Sequence, residues 1–257
     1  MKKVQFGLLV LLIAVFSSCK SDNQSKVSFY LTDAPMDSEV SEVNINIQRV
    51  EYTLGEEGAW QSLPMEPTMC NILNLTNGTD TLLSNVFLNE GDQIQQVRLV
   101  LGEVNNLVMK DGSVEQLATP SGQTSGVKLN VHAAATSTSG YSIIIDFDAA
   151  RSIVKTGNGK FSLKPVIHSY IAQNTAAIDG NILPKDVVYQ VYTIQGTDTI
   201  STYSEPERDN YFMLHGLTSG DYTLTYVNSV TGAEVQSNAL TVTGGTDIHL
   251  GVVTLAD

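Results

Sequence analysis

The stretch Val43-Asn44-Ile45-Asn46-Ile47-Gln48-Arg49-Val50-Glu51-Tyr52-Thr53-Leu54 decides the fold. Its apolar side chains fall on every second residue, the spacing of a strand with one buried face. The phase then slips, from odd positions through Ile47 to even positions from Val50 onward. Successive side chains point to opposite faces, so an uncorrected slip would turn half of the apolar set to water. One extra residue near Gln48-Arg49 restores the phase, and a β-bulge supplies it. The segment reads as one long, bulged strand lying on a core.

The same period runs outward in both directions. Val27, Phe29 and Leu31 alternate with polar residues, as do Val97, Leu99 and Leu101, then Val127, Leu129, Val131 and Ala133, then Tyr141, Ile143, Ile145 and Phe147. Phe161 to Ile171 is a further strand broken at Pro165, which cannot donate to a ladder. Turn residues separate these runs, among them Asn77-Gly78, Glu90-Gly91-Asp92, Asp111-Gly112 and Thr156-Gly157-Asn158-Gly159. Only Thr79–Leu88 and Asp148–Ile153 suit a short helix. Many short strands punctuated in this way predict an all-β fold. The pattern pauses at Ala172-Gln173-Asn174-Thr175, and a second set of strands starts at Ile178. We therefore expect two β-sandwich domains, residues 26–172 and 176–257.

The first residues read differently. Lys2 and Lys3 precede an apolar run from Gly7 to Phe16, followed by Ser17-Ser18-Cys19. This order of charge, apolar core and small residues is that of a secretory signal. The run is shorter than the roughly 20 residues a membrane span requires. The cysteine makes it resemble a bacterial lipoprotein signal, with Phe16 where Leu is usual. That resemblance implies a cleaved signal peptide over 1–18, acylation of Cys19 with palmitate-type chains, and a polar tether over 19–25. More than one chain on that cysteine would give a stable anchor, since a single chain holds only marginally. The chain is then expected in the cell envelope, on the outer membrane, its periplasmic or surface face left open.

Net charge is −13, and loss of Lys2 and Lys3 makes it −15. Such a balance argues against nucleic acid, whose affinity comes from Lys and Arg on phosphates. With Cys19 acylated, Cys70 has no partner for a disulfide, and its run Met69-Cys70-Asn71-Ile72-Leu73 suits a small core residue.

Particular segments carry a family likeness. They are Leu31-Thr32-Asp33-Ala34-Pro35, Val43 to Ile47, Leu75-Thr76-Asn77-Gly78-Thr79, Gln96 to Leu101, Pro120-Ser121-Gly122 with Gly126 to Leu129, Asp146 to Val154, and Gly157 to Phe161 followed by Leu163 to Ile167. In this order they resemble the DUF4382 family, common in bacterial lipoproteins, over Lys26 to Tyr170. Phe212-Met213-Leu214-His215-Gly216-Leu217 followed by Gly220-Asp221-Tyr222-Thr223-Leu224 resembles transthyretin-like modules of the carboxypeptidase-regulatory type. Such modules are generally spacers or stabilising additions.

Catalytic chemistry has little to stand on. There is no Gly-x-Ser-x-Gly elbow, and His132, His168, His215 and His249 fall singly on separate strands. An enzyme is not expected, and no cofactor is implied. The acids Asp33, Asp37, Asp146 and Asp148 would make a calcium site only if their strand ends adjoined, because calcium takes six to eight oxygens. Their other reading is turn formation for Asp33 and pairing of Arg151 with Asp146 or Asp148. Asp80-Thr81-Leu82 and Asp198-Thr199-Ile200 resemble Bacteroidetes O-glycosylation tripeptides, with Thr81 and Thr199 as acceptors. For stacking on a sugar the chain offers Trp60, in a loop-like stretch after Glu56-Glu57-Gly58, and scattered tyrosines such as Tyr189, Tyr192 and Tyr203; the other reading of a lone tryptophan is a core residue.

The expected function is a non-catalytic envelope lipoprotein acting in adhesion, scaffolding or surface assembly through an envelope protein partner. The alternative is a glycan-binding surface lipoprotein for nutrient capture. Calcium-dependent binding or an uncharacterised hydrolase comes third.

Overall fold

A computed structural model describes residues 24–34, 39–55, 58–119, 126–134, 140–157 and 159–255. The signal, Cys19, the tether up to Asn23, and Asp37 lie outside the described residues. The fold is all-β. The first part contains β1 (Gln24–Ala34), β2 (Val40–Leu54), β3 (Gln61–Ser62), β4 (Thr68–Asn71), β5 (Thr81–Asn89), β6 (Gln93–Leu101), β7 (Asn106–Met109), β8 (Val114–Ala118), β9 (Val127–Ala134), β10 (Tyr141–Asp148), the one-turn helix α1 (Ala149–Ser152), β11 (Ile153–Lys155), β12 (Phe161–Leu163) and β13 (Ile167–Ile171). The second holds β14 (Ala176–Leu183), β15 (Tyr189–Gln195), β16 (Asp198–Tyr203), β17 (Tyr211–Leu217), β18 (Gly220–Tyr222), β19 (Thr225–Asn228), β20 (Glu234–Gln236), β21 (Leu240–Val242) and β22 (Ile248–Thr254). A single 3-10 turn, Ala172–Asn174, separates the two parts.

In the first unit a sheet ordered β13-β10-β1-β5 faces a larger one ordered β11-β12-β8-β7-β2-β6-β9, with β3 and β4 added beside β2. The long strand β2 organises the larger sheet. Its register against β6 skips between Ile47 and Arg49, so the expected bulge sits at Gln48. Val43, Ile45 and Ile47 before it, and Val50 and Tyr52 after it, all end up buried. They share one core with Phe29, Leu31, Leu99, Ile143, Ile145 and Phe147. The second unit has its own core around Ile178, Val191, Phe212, Leu214, Leu224 and Tyr226. It lies between a sheet ordered β17-β14-β22, with β14 and β22 parallel, and a sheet ordered β16-β15-β19-β20.

Two local expectations resolve differently. Asp148–Ile153 does contain a helix, α1, whereas Thr79–Leu88 forms β5 rather than a helix. Leu82, Leu83, Val86 and Phe87 mimic a helical spacing because the β1–β5 register skips Leu83, pairing Phe29 with Ser84 and Tyr30 with Leu82. The bulge, not a helical turn, breaks the alternation. Pro165 does more than interrupt a strand. It divides the segment into β12 and β13, which belong to opposite sheets of the first unit.

Candidate functional site: the seam between the two units

The residues that meet between the units start from a turn. Asn77 and Gly78 both have positive φ, 46° and 85°, a geometry that asparagine and glycine adopt most readily. Thr32 on β1 holds this turn from below, its hydroxyl donating to the carbonyls of Leu75 (2.9 Å) and Thr79 (3.0 Å). So fixed, the turn enters the second unit. Asn77 is only 2% exposed. Its Nδ2 donates to the Tyr203 carbonyl at 3.0 Å and to Glu205 Oε1 at 2.9 Å. Its Oδ1 accepts from Thr202 Oγ1 at 2.8 Å and from the Met213 amide at 2.9 Å. All four hydrogen-bonding positions of the amide are therefore filled from one side chain. Thr76 Oγ1 also donates to Glu205 Oε1 at 2.7 Å, and Arg208 Nη1 donates to the Asn77 carbonyl at 3.3 Å. A Cβ on Gly78 would come within 2.7 Å of Met213 Sδ.

A second contact lies on β13. The Tyr170 hydroxyl is 2.7 Å from His215 Nδ1. The ring passes so close to Gly216 that a Cβ there would approach it to 2.9 Å. Burial, and then the charges of Asp146 and Asp80, push the Tyr170 pKa well above its usual value. Burial likewise raises Asp80, against a lowering by His215.

The predicted acids take distinct places. β1 and β10 run parallel, pairing Asp33 with Phe147 and Ala34 with Asp148, so their strand ends do adjoin. Asp33 and Asp148 there serve the backbone. Asp33 Oδ1 accepts from the Ala149 amide at 2.9 Å. Asp148 is the N-cap of α1, accepting from the Arg151 amide at 2.8 Å, with Arg151 Nη1 at 3.8 Å. Both fill donors that a helix start leaves open. Burial raises the Asp148 pKa. Asp146 lies opposite the inward Ile145 and Phe147 and is covered by the second unit at 7% exposure. Its Oδ1 and the Nε2 of His168, its cross-strand neighbour, are buried without hydrogen-bond partners among the described residues. Among those residues no three His, Cys, Asp or Glu side chains group as a metal site.

Sequence reasoning treated the histidines singly, yet His168 and His215 both border the seam beside Asp146 and Asp148. No local signal marks this, because β13 and β17 meet only through packing of the two units. Thr81 starts β5 and Thr199 is the second residue of β16, both half-buried, and the Thr199 carbonyl faces Arg151 Nη1 at 3.5 Å. Trp60 is half-buried with the Arg98 guanidinium 4.2 Å from its ring centroid. Cys70, on β4, packs partly against the core, and burial followed by the charge of Asp33 raises its thiol pKa.

No curated protein matches the chain. Among solved structures, similarity is found to the Bacillus anthracis TIE protein, at 9% identity and a TM-score of 0.24 over 90% of this chain and 34% of that one. The chain thus spans about a third of that protein's length. BcpA, the major pilin subunit of Bacillus cereus, is similar at 8% identity and a TM-score of 0.22, over 90% of this chain and 69% of that one. The fimbrial anchor protein Mfa2 from Porphyromonas gingivalis is similar at 11% identity and a TM-score of 0.17, over 82% of each chain. Residues 24–165 match the family described as a domain of unknown function, DUF4382. That is more than half of the sequence, and the chain belongs to the DUF4382 family.

Proposed function

We propose that this chain is a non-catalytic cell-envelope lipoprotein that carries a stiff two-unit β body for adhesion, scaffolding or surface assembly. The observation that carries the reading is the seam. A fully bonded Asn77 amide, reaching residues 125 to 136 positions away, suits a body that presents both units in one orientation. A hinge would leave such a turn in water. The lipoprotein-like Phe16-Ser17-Ser18-Cys19 places an acyl anchor on the outer membrane in this reading. The transthyretin-like second unit acts as a stabilising addition to the first.

The anchor is tested by replacing Cys19→Ser and following labelled fatty acid. The wild type incorporates label and sediments with membranes, and the variant does neither. Label retained by the variant overturns the lipoprotein reading. Protease shaving of whole cells combined with crosslinking tests the scaffold. A surface-exposed chain crosslinked to an envelope protein supports it, and a chain that crosslinks to nothing overturns it.

A further inference from the structure

The outer face of the larger sheet carries an arrangement that the scaffold reading does not use. Glu51, Arg98 and Lys128 stand side by side in register on β2, β6 and β9. Two residues further along the same strands lie Thr53, Gln96 and Asn130, with Gln96 Nε2 donating to Asn130 Oδ1 at 3.0 Å. Trp60 lies against the first row, 4.2 Å from the Arg98 guanidinium carbon and 5.8 Å from Lys128 Nζ. Arg49, a few residues along β2, donates its Nε to Glu51 Oε1 at 3.1 Å, while Arg98 Nε reaches Glu51 Oε2 at 2.6 Å.

Two arginines therefore share one carboxylate, and Lys128 stands beside them as a third cation. Among the described residues Lys128 makes no ion pair, and it is exposed. Arg49 is half-exposed, and Glu51 engages only its Nε. This surplus of positive charge lies on a chain of net charge −13. Charges more than about 8 Å away are largely screened at physiological salt, so an arriving anion responds chiefly to the local cations. Arg98 is held by its carboxylate and its stacking on the indole, and orders the patch without further loss of freedom.

We propose that this face binds an acidic saccharide, a polyhydroxylated chain bearing carboxylate or sulfate groups. Arg49 and Lys128 receive the anionic group. Asn130 and Gln96, the row beyond Lys128 on the side away from Arg49, stand about 7 Å from the Lys128 row for the hydroxyls, twice the rise of one strand residue. The exposed part of the half-buried indole packs against the sugar ring. β2 and β6 are interior strands whose backbone groups are already paired, while β9 ends the sheet, so the polyglutamate arm below tests an extended peptide lying along it. The site is independent of the scaffold reading, and either can fail alone.

Trp60 is the only tryptophan of the chain, so its fluorescence reports directly on this patch. The purified full chain is titrated with oligogalacturonate, a sulfated oligosaccharide, a neutral glucan and polyglutamate. The expected result is a shift of Trp60 emission with one or both acidic saccharides, weakening as salt is raised. Lys128→Glu and Arg49→Glu, checked for an unchanged urea midpoint, each weaken binding roughly tenfold. Glu56→Gln with Glu57→Gln, next to Trp60 in sequence but outside the described residues, leaves affinity equal or higher. Absence of binding by both acidic saccharides overturns the proposal. So do equal binding of the neutral glucan, insensitivity to Lys128→Glu, and weaker binding in the glutamate double variant. Polyglutamate binding as tightly as the saccharides overturns it in favour of an acidic-peptide surface.

Discussion

Asn77 and Met213 are joined across the seam by a hydrogen bond of 2.9 Å from the Met213 amide to the Asn77 side-chain oxygen. The Met213 amide belongs to β17, and β17 pairs with β14, the first strand of the second unit. One side chain of the first unit thus completes the wiring of β17, the outer strand of a sheet in the second. Asn77→Ala removes this bond and three others, strands buried partners, and places a Cβ residue without a local polar group at positive φ. A loss of about 3 to 5 kcal/mol is expected from buried groups left unpaired. Urea unfolding measures it. Asn77→Gly removes the same bonds while accepting the backbone conformation, so it falls short of the alanine loss by about 1 kcal/mol.

Tyr170 ties stability to alkaline pH. Burial raises its pKa well above 10, so the folded chain keeps a proton that the unfolded chain releases near 10. The contribution is complete below pH 10 and is lost as pH rises toward the folded value. Unfolding midpoints are expected to fall from pH 10 upward, with Tyr170 alone giving about 1.4 kcal/mol per pH unit. Tyr141 and Tyr226, both pushed up to about 12 by burial, add to the slope over the same window. Tyr170→Phe flattens the alkaline limb and, by removing the 2.7 Å contact to His215, costs about 1 kcal/mol at neutral pH. An unchanged alkaline slope in that variant would contradict the assignment.

Asp148 behaves in the opposite sense to a salt-bridged acid. Its folded pKa is raised, with burial as the largest cause. Relative stability is therefore highest at acid pH and declines as pH rises through the folded value. Asparagine caps a helix as well as aspartate does and carries no charge into the seam. Asp148→Asn is expected to raise the neutral-pH melting temperature, with the gain shrinking as pH falls through the raised folded value and vanishing below about 3.8. Asp148→Ala, which loses the cap, lowers stability by about 1 kcal/mol.

Cys70 is expected to resist alkylation. Its thiol is half-buried, and its pKa is raised by burial and the nearby Asp33 charge, which keeps the reactive thiolate scarce. Labelling with iodoacetamide at pH 7.5 should be slow in buffer and fast in urea. Rapid labelling of the folded chain would show a freer thiol than the packing implies.

What sequence could supply differed from element to element. The bulge in β2 was readable because the phase slip from Ile47 to Val50 is local and has one economical cause. The short helix within Asp148–Ile153 was readable too, but the capping role of Asp148 emerged only from the structure. β5 was not, since its bulge imitated a helix. The seam was hidden more deeply. Asn77-Gly78 has the composition of an ordinary surface turn, and its partners Thr202, Tyr203, Glu205 and Met213 lie on β16, the turn after it and β17, more than 120 positions away. Alternation along β10 showed Asp146 opposite the core, but nothing local says that the far side of a strand is roofed by another unit. The stacking of Arg98 on Trp60 likewise needs the register of β2, β6 and β9, which no single strand carries.

The parallel pairing of β14 with β22 bears on mechanical load. Ala176 begins β14, and Thr254 ends β22 at the opposite end of the pair. A pull entering the second unit at Ala176 and leaving past Thr254 makes the two strands slide along one another. Their ladder is then loaded in shear, all bonds at once, rather than opened one bond at a time. Resistance to such a pull is set by the rate of crossing that barrier more than by equilibrium stability. An end-to-end pull on the second unit therefore meets this pair in the direction in which a ladder of strands resists most.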